Sequence, residues 1–230
     1  MWYFWNAFRT VFRKRTLRLS MVNNYDPIAE KYDLLSRLVF RQNLVLSQTC
    51  LLQHIPAGSK VLIVGGGTGW IIEESAKIHS SGLSITYVEI SEKMILLAKK
   101  RDARQNKVYF VNKAVEEFVT DEKYDIILTA FLFDNFGDEK AKLIFNNLAT
   151  LLQDKGKWLF ADFHIDKKSR EWQRLLLKLM LNFFRVICKI EARELIPMDL
   201  KFRESGFREI YVYSHFHNFI KSTVYIRIFV

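Results

Sequence analysis

The sequence predicts an α/β fold built on a doubly wound sheet of seven strands, mostly parallel and closed by an antiparallel C-terminal hairpin. Short apolar runs alternate with helical patterns along most of the chain, which is typical of βαβ units around a buried parallel sheet. The last two runs, residues 208–217 and 220–229, are too close together for a crossover helix, so we expect them to pair antiparallel. The 230 residues, 50% of them hydrophobic, suit one substantial core and exclude a disordered or collagen-like chain.

The elements before the hairpin follow one another with little connecting sequence. Strands are predicted at residues 60–64, 84–89, 108–112, 124–131 and 157–163. Helical patterns occupy residues 25–53, 70–79, 92–103, 139–152 and 169–190. Pro27 is tolerated near a helix start, and Ser91 is a suitable N-cap for the helix that follows it.

The distribution of charge divides the chain into a basic aromatic segment, residues 1–20, and one domain, residues 21–230. The net charge is +10 (35 − 25), and the segment holds five of the cations and no acid, which leaves +5 for the domain. Because the excess is concentrated at one end, it argues against a nucleic-acid-binding face, and no nucleic acid partner is expected. The sequence selects no oligomeric state.

The N-terminal segment carries large aromatic residues on one helical face. Trp5, Phe8 and Phe12 share that face, with Arg9 beside it. A basic aromatic helix of this kind predicts peripheral contact with an anionic membrane. A disordered tail and a true start at Met21 are the alternatives.

Two cysteines, Cys50 and Cys188, are too few for a disulfide framework or a cysteine-rich zinc site, so a cytoplasmic location and no metal are expected. No apolar run reaches the roughly 18–20 residues that span a bilayer. The nearest, residues 175–190, is interrupted by Lys178 and Arg185.

A glycine-rich loop follows the first predicted strand and precedes a helix. It fits the spacing Gly-x-Gly-x-Gly at Gly65, Gly67 and Gly69. The dinucleotide pattern Gly-x-Gly-x-x-Gly fails because Trp70 stands at its last position, and no Lys-Ser/Thr pair completes a P-loop. Glu89 closes the second strand, where a carboxylate can accept hydrogen bonds from both hydroxyls of a ribose.

With these features the chain resembles the class I S-adenosylmethionine (SAM)-dependent methyltransferases, which have a Rossmann-like fold. The opening NYDPIAEKYD and the strand–loop–strand ending are similar to the ubiquinone/menaquinone methyltransferase type. The resemblance implies SAM as cofactor, with the three glycines at its methionine end and Glu89 at its ribose. It also implies that Ile90 lies in the cofactor site and that the backbone N–H of Val115 serves the adenine.

Two positions depart from the family pattern. Ile63 stands where an acid two residues before the first glycine is usual, and Ala114 stands where Asp or Asn is usual after the third strand. Together they predict weaker SAM affinity, and they leave open a SAM-fold binding or scaffold protein without turnover.

Methyl transfer is an in-line displacement, so positioning supplies much of the acceleration, and a base is needed only for a protonated nucleophile. His164, after the fifth strand, is our candidate base, and a loop histidine without catalytic role is the alternative. His215 and His217 share a face of the sixth strand in this interpretation but have no third metal ligand. The other polar candidates at the strand ends are Thr129, Asp134 and Asp162.

The acceptor site is predicted from large apolar residues near the strand ends. Its candidate residues are Tyr25, Tyr32, Phe131, Phe133 and Trp172. An aromatic pocket of this kind suits a small lipophilic or quinone-like acceptor. An RNA or protein methyltransferase is the alternative, although residues 129–132 lack an Asn-Pro-Pro-Tyr-like tetrapeptide.

Overall fold

Seven strands form one sheet in the computed structural model, which describes residues 23–228. The strands are β1 Lys60–Val64, β2 Ser81–Glu89, β3 Gln105–Asn112, β4 Tyr124–Ala130, β5 Leu152–Phe163, β6 Phe207–His215 and β7 Ile220–Arg227. Their order in the sheet is β3-β2-β1-β4-β5-β7-β6. The first five strands pair parallel, and β7 pairs antiparallel with both β5 and β6. The predicted seven-stranded sheet and its antiparallel ending are confirmed.

The helices cover both faces of this sheet, as a parallel sheet requires. They are α1 Tyr32–Phe40, α2 Asn43–Leu52, α3 Trp70–Ile78, α4 Glu92–Ala98, α5 Asp138–Leu151, α6 Glu171–Ile187 and α7 Met198–Glu204. One core lies around Phe145, Trp158 and Phe202, and the other lies around Leu51 and Ile71. Within residues 23–228 no helix has the length and apolar character needed to cross a bilayer.

The helix predicted over residues 25–53 is divided in the structure. A 3-10 turn at Ala29–Lys31 leads into α1, which ends where Arg41 adopts a positive φ of 54°. The Asn43 amide donates to the carbonyl of Phe40 at 2.9 Å and fixes the turn into α2. The break gives α1 and α2 separate directions, so α1 is free to lie over the carboxyl end of the sheet.

The predicted pairing of two histidines on one strand face is wrong. β6 ends at His215, and His217 lies in the following turn with a positive φ of 57°. The period-two alternation therefore stops before it reaches His217. Within residues 23–228 no group of three or more His, Cys, Asp or Glu side chains is arranged to hold a metal ion.

Candidate active site

The glycine loop lies at the centre of the sheet, between the end of β1 and the start of α3. β1 is flanked by β2 and β4, so the loop stands where the strand order reverses, and ligands of open α/β sheets bind at that point. Gly65 and Gly67 have positive φ values of 69° and 62°, which side chains rarely adopt. The Gly65 N–H donates to the Val88 carbonyl at 2.9 Å, which ties the loop to β2.

Two glycines of the loop are needed for packing. A Cβ at Gly66 would lie 2.3 Å from the Tyr87 ring, and the Tyr87 hydroxyl donates to the Gly67 carbonyl at 2.9 Å. A Cβ at Gly69 would lie 2.5 Å from the Cβ of Ala98. Gly69, expected at the cofactor, therefore brings α3 close to α4, while Gly65, Gly66 and Gly67 line the cleft. The Gly-x-Gly-x-Gly pattern gave no reason to select Gly66, because the ring beneath it comes from another strand.

Glu89 closes β2 directly beneath the loop and is only 5% exposed. Its Oε2 accepts a hydrogen bond from the Gly67 N–H at 3.0 Å, and its Oε1 accepts one from the Ser91 N–H at 2.9 Å. Burial raises the pKa of Glu89, and these two backbone donors oppose that shift. Each carboxylate oxygen retains a lone pair, so the group can still accept from ribose hydroxyls.

The cleft above the loop, the cofactor cleft, fits the chemistry of SAM. It offers backbone groups of three glycines, the Glu89 carboxylate and an apolar wall that includes Ile90 and Val115. Asn23 also lines it, and its buried Oδ1 has no hydrogen-bond partner among residues 23–228, which leaves an acceptor oxygen unused beside the cleft. The remaining lining residues are Tyr25, Tyr32, Gln48, Val64, Thr68, Trp70, Val88, Met94, Lys113, Ala114, Glu116, Ala130, Phe131, Leu132, Asn135 and Phe136.

Residues 25–40, the lid, close over the cofactor cleft through polar contacts. Asp26 Oδ1 accepts from the Ser91 hydroxyl at 2.5 Å, and the Asp33 carboxylate accepts from the Thr68 hydroxyl at 2.9 Å. The Tyr25 hydroxyl donates to the Asn135 side-chain oxygen. The two aspartates were not selected from the sequence, although the Tyr-Asp pair that repeats after seven residues was a signal for them.

Two lid tyrosines form an aromatic corner with α6. The Tyr25 and Tyr32 rings are 6.1 Å apart in an edge arrangement, and Phe184 lies 5.9 Å from Tyr25. Desolvation raises the pKa of both phenols, followed by the charge of Asp134. Both hydroxyls therefore remain protonated at neutral pH, and that of Tyr25 donates to Asn135.

An apolar cavity adjoins the cofactor cleft and lies between α1 and α6. Tyr25, Tyr32 and Phe131 line both spaces, so the two share an aromatic wall. The other lining residues are Ile28, Leu35, Ser36, Val39, Phe40, Leu44, Asp134, Phe163, Leu176, Leu179, Met180, Phe183 and Phe184. Asp134 is the one acidic group in this lining.

Asp134 stands between the apolar cavity and a second cavity on the other side of the β4 and β5 ends. Asp162, which is 5% exposed, lines the second cavity with it. Burial and then the charge of Asp162 raise the pKa of Asp134. Burial raises the pKa of Asp162 to about 7, against hydrogen bonds from the backbone N–H groups of Phe163, Phe133 and Asp134. The pair holds a proton more readily than ordinary carboxyls do.

Several candidates from the sequence lie away from the apolar cavity. His164 lines the second cavity, 3.7 Å from the Asp166 carboxylate, and burial lowers its pKa. Trp172, expected in the acceptor pocket, packs against Phe216 and Phe219 instead.

Two further candidates lie in the core. Phe133, also expected in the pocket, is 1% exposed and packs against Phe145 and Phe160. The Thr129 hydroxyl accepts from the Trp158 indole at 2.9 Å within that core. The strand period of β4 places the Thr129 side chain on this face of the sheet, whereas Phe133 enters the core from the 3-10 turn Phe133–Asn135 that follows β4.

The two departures from the family pattern have different settings. Ile63 is buried beneath the sheet surface and lies in the same core as Leu128 and Leu159. Ala114 does line the cofactor cleft, between Lys113 and Val115. The cleft therefore has a short methyl side chain at the position where the family pattern usually has Asp or Asn.

Known proteins share this architecture and parts of the sequence. A family described as a methyltransferase domain matches residues 61–156. The chain is 29% identical over 227 residues to the ubiquinone/menaquinone biosynthesis C-methyltransferase UbiE of Rickettsia bellii (strain OSU 85-389), an alignment that covers 86% of this chain and 88% of that one.

Solved methyltransferase structures have the same fold. The mitomycin 7-O-methyltransferase MmcR superposes with a TM-score of 0.65 at 16% identity, covering 86% of this chain and 58% of that one, which is somewhat more than half its length. The N-methyltransferase NodS of Bradyrhizobium japonicum WM9, in complex with S-adenosyl-L-homocysteine, gives 0.59 at 14% identity, with 80% and 85% covered. The chain is a SAM-dependent methyltransferase with the class I fold, and SAM is its cofactor.

Proposed function

We propose that this methyltransferase acts on a small, lipophilic, quinone-like acceptor held in the apolar cavity between α1 and α6. The observation that carries the proposal is the aromatic wall shared by the cofactor cleft and this cavity, formed by Tyr25, Tyr32 and Phe131. A ring stacked against that wall lies next to the cofactor, and its apolar substituents are covered by leucine, methionine and phenylalanine side chains. The UbiE relative of Rickettsia bellii, named for ubiquinone and menaquinone biosynthesis, supports this acceptor class.

In this proposal the glycine loop and Glu89 position SAM. Gly65 and Gly67 let the backbone approach its methionine end, and Glu89 accepts hydrogen bonds from its ribose hydroxyls. Ile90 and Val115 cover the adenine. When bound, SAM supplies an electrophilic methyl group on a sulfonium sulfur.

Asp134 is the proposed proton acceptor on the acceptor side. It is the acidic group of the apolar cavity lining, whereas His164 faces the second cavity. Burial and the charge of Asp162 raise the pKa of Asp134, which makes its carboxylate a stronger proton acceptor for an enol or phenol. From Asp134 the proton can pass to Asp162, which lines the second cavity beside it.

The test is transfer of label from methyl-labelled SAM to reduced short-chain quinols, compared with hydrophilic phenols and with bulk RNA and protein. We expect labelled product with the quinols and none with Glu89→Ala.

Met180→Trp places a larger side chain in the apolar cavity, away from the cofactor cleft, so the quinol KM should rise about fivefold or more with unchanged S-adenosylhomocysteine affinity. Leu143→Trp, on the exposed side of α5, is the matched control. Label in RNA or protein alone would refute the proposal.

A further inference from the structure

Large apolar side chains are exposed around the mouth of the apolar cavity. They belong to α1 and α6, and several are unusually open to solvent: Leu38 is 79% exposed and Val186 is 76% exposed. We define the apolar rim as Leu34, Leu35, Leu38, Val39, Leu175, Leu179, Phe183 and Val186. Leu35 and Val39 of α1 and Leu179 and Phe183 of α6 also line the cavity, so the rim is continuous with its interior. Contiguous exposed apolar surface of this kind marks an interaction site.

Exposed cations border the apolar rim on both helices. On α6, Arg174, Lys178 and Arg185 follow one another at helical spacing along one edge of the apolar stripe. Arg37 stands on α1, and Arg41 follows directly after its end. Among the described residues Arg37, Arg41, Lys178 and Arg185 take part in no salt bridge.

The acids of the two helices do not cancel this charge. Asp33 is turned toward the glycine loop, where it pairs with Thr68 and Arg101. Glu171 is the one other acid of α1 and α6, and it stands at the first residue of α6. The surface around the cavity mouth is therefore apolar at its centre and basic at its border.

We propose that the apolar rim docks on an anionic lipid surface, so that the acceptor enters the cavity directly from the bilayer. This inference rests on the proposed lipophilic acceptor. Apolar side chains of an interfacial helix enter the headgroup and acyl boundary, while lysine and arginine beside them attract anionic lipids. The cavity mouth, at the centre of the rim, would then open toward the membrane interior.

The chain itself offers two protein surfaces that could cover the rim, namely residues 1–20 and a second copy of the chain. The charge at the border of the rim favours an anionic lipid surface over both. Residues 1–20, which lie outside the described residues, carry five cations and no acid, so they would meet the basic border as like charge. A second copy docked rim to rim would set the same cations against each other. Anionic phosphates complement both the border and residues 1–20.

The experiment is co-sedimentation of the full chain with vesicles of phosphatidylcholine containing phosphatidylglycerol, and with vesicles of phosphatidylcholine alone. We expect preferential binding to the anionic vesicles. Leu38→Glu combined with Leu175→Glu should lower the partition coefficient by about tenfold or more, because two apolar contacts become charges. Leu143→Glu, a 55%-exposed leucine on α5, is the matched control and should bind as the wild type does. Arg37→Glu with Arg185→Glu should lower binding to anionic vesicles only.

Three results would overturn the inference. The first is that the wild type does not bind anionic vesicles, and the second is that Leu143→Glu loses as much vesicle binding as the rim variant does. The third is that deletion of residues 2–20 abolishes vesicle binding while the Leu38→Glu, Leu175→Glu variant binds fully. A change in oligomeric state of that variant, with vesicle binding intact, would assign the rim to a second copy.

The vesicle measurement needs neither acceptor nor turnover, and Leu38 and Leu175 lie outside the cavity lining. S-adenosylhomocysteine binding and basal transfer to a water-soluble acceptor should be unchanged, so failure here is distinguishable from failure of the proposed acceptor class.

Discussion

The Thr68 hydroxyl donates to the Asp33 carboxylate, with its oxygen 2.9 Å from Oδ1 and 3.0 Å from Oδ2. Thr68 belongs to the glycine loop and Asp33 to α1, so this contact joins the lid to the loop that forms the floor of the cofactor cleft. Arg101 supports it by donating to the Thr68 carbonyl at 3.0 Å and by pairing with Asp33 at 3.4 Å. The lid is therefore held over the cleft by the loop itself.

Asp33→Ala removes this contact and should weaken S-adenosylhomocysteine binding by about tenfold, mainly through faster dissociation. The physical reason is that the lid then closes with one charge-assisted hydrogen bond fewer. Stopped-flow dissociation and calorimetric titration measure the two quantities. Asp121→Ala, at an exposed acid in a loop, is the control. An unchanged dissociation rate would show that the lid does not retain the ligand.

Glu89→Gln tests the proposed ribose contact. The substitution keeps the size of the side chain but replaces one acceptor oxygen with a donor, which then faces either the Gly67 N–H or a ribose hydroxyl. We expect S-adenosylhomocysteine affinity to fall at least about tenfold in a calorimetric titration. The thermal midpoint without ligand should be followed in parallel, since Glu89 also holds the loop. Wild-type affinity in a folded Glu89→Gln protein would contradict the assignment.

Gly66→Ala should destabilise the fold, because the new Cβ would lie 2.3 Å from the Tyr87 ring. We expect the free energy of unfolding in urea to fall by about 2–3 kcal/mol. Gly137→Ala is the matched control: Gly137 also has a negative φ, and a Cβ there meets no atom within 4 Å. Its cost should stay below about 1 kcal/mol, the usual loss at a helix N-cap. Equal costs for the two variants would show that the loop moves off Tyr87 freely.

The Asp134 and Asp162 pair predicts that stability decreases as the pH rises. The folded pKa of Asp162 is about 7, whereas an unfolded aspartate titrates near pH ~3.9. Between these values the native state binds more protons than the unfolded state, so the free energy of unfolding falls as the pH rises toward 7.

Urea unfolding at pH 5 and pH 8 measures this slope. Asp162→Asn should be less sensitive to pH over that interval than the wild type, because the titrating carboxyl is gone and the charge on Asp134 no longer has a partner to repel it. Asp121→Asn, at an exposed acid, should keep the wild-type slope. Parallel slopes for wild type and Asp162→Asn would refute the raised pKa.

The sheet was predictable because its evidence is local. Apolar runs that alternate with helical patterns indicate which strands exist. The short connection at residues 216–219 then determines how the last two strands pair. Ser91 is a further local success, since its hydroxyl accepts from the Met94 N–H at 3.1 Å as an N-cap should. The ends of elements were less predictable: residues 99–103 continue a helical pattern, but Arg101 turns back to Thr68 and α4 ends at Ala98.

The site was predictable only where one motif carries it. The glycine loop and Glu89 lie close to one another along two neighbouring strands, so their meeting follows from the sheet. Asp33 meets Thr68 across 35 positions, and Asp134 is next to Asp162 only because β4 and β5 end side by side. Gly66 matters because of the Tyr87 ring beneath it. Such contacts depend on side-chain directions in the folded chain, which no periodicity specifies.

With an acceptor in the apolar cavity, as proposed, the aromatic wall between that cavity and the cofactor cleft makes the two ligands thermodynamically dependent on each other. Since Tyr25, Tyr32 and Phe131 border both spaces, whichever ligand binds first orders the rings that the second one must touch. Linkage then requires that each ligand change the affinity for the other by the same factor. A cofactor that binds first thus completes the acceptor site. When either product leaves, the affinity for the product that remains falls.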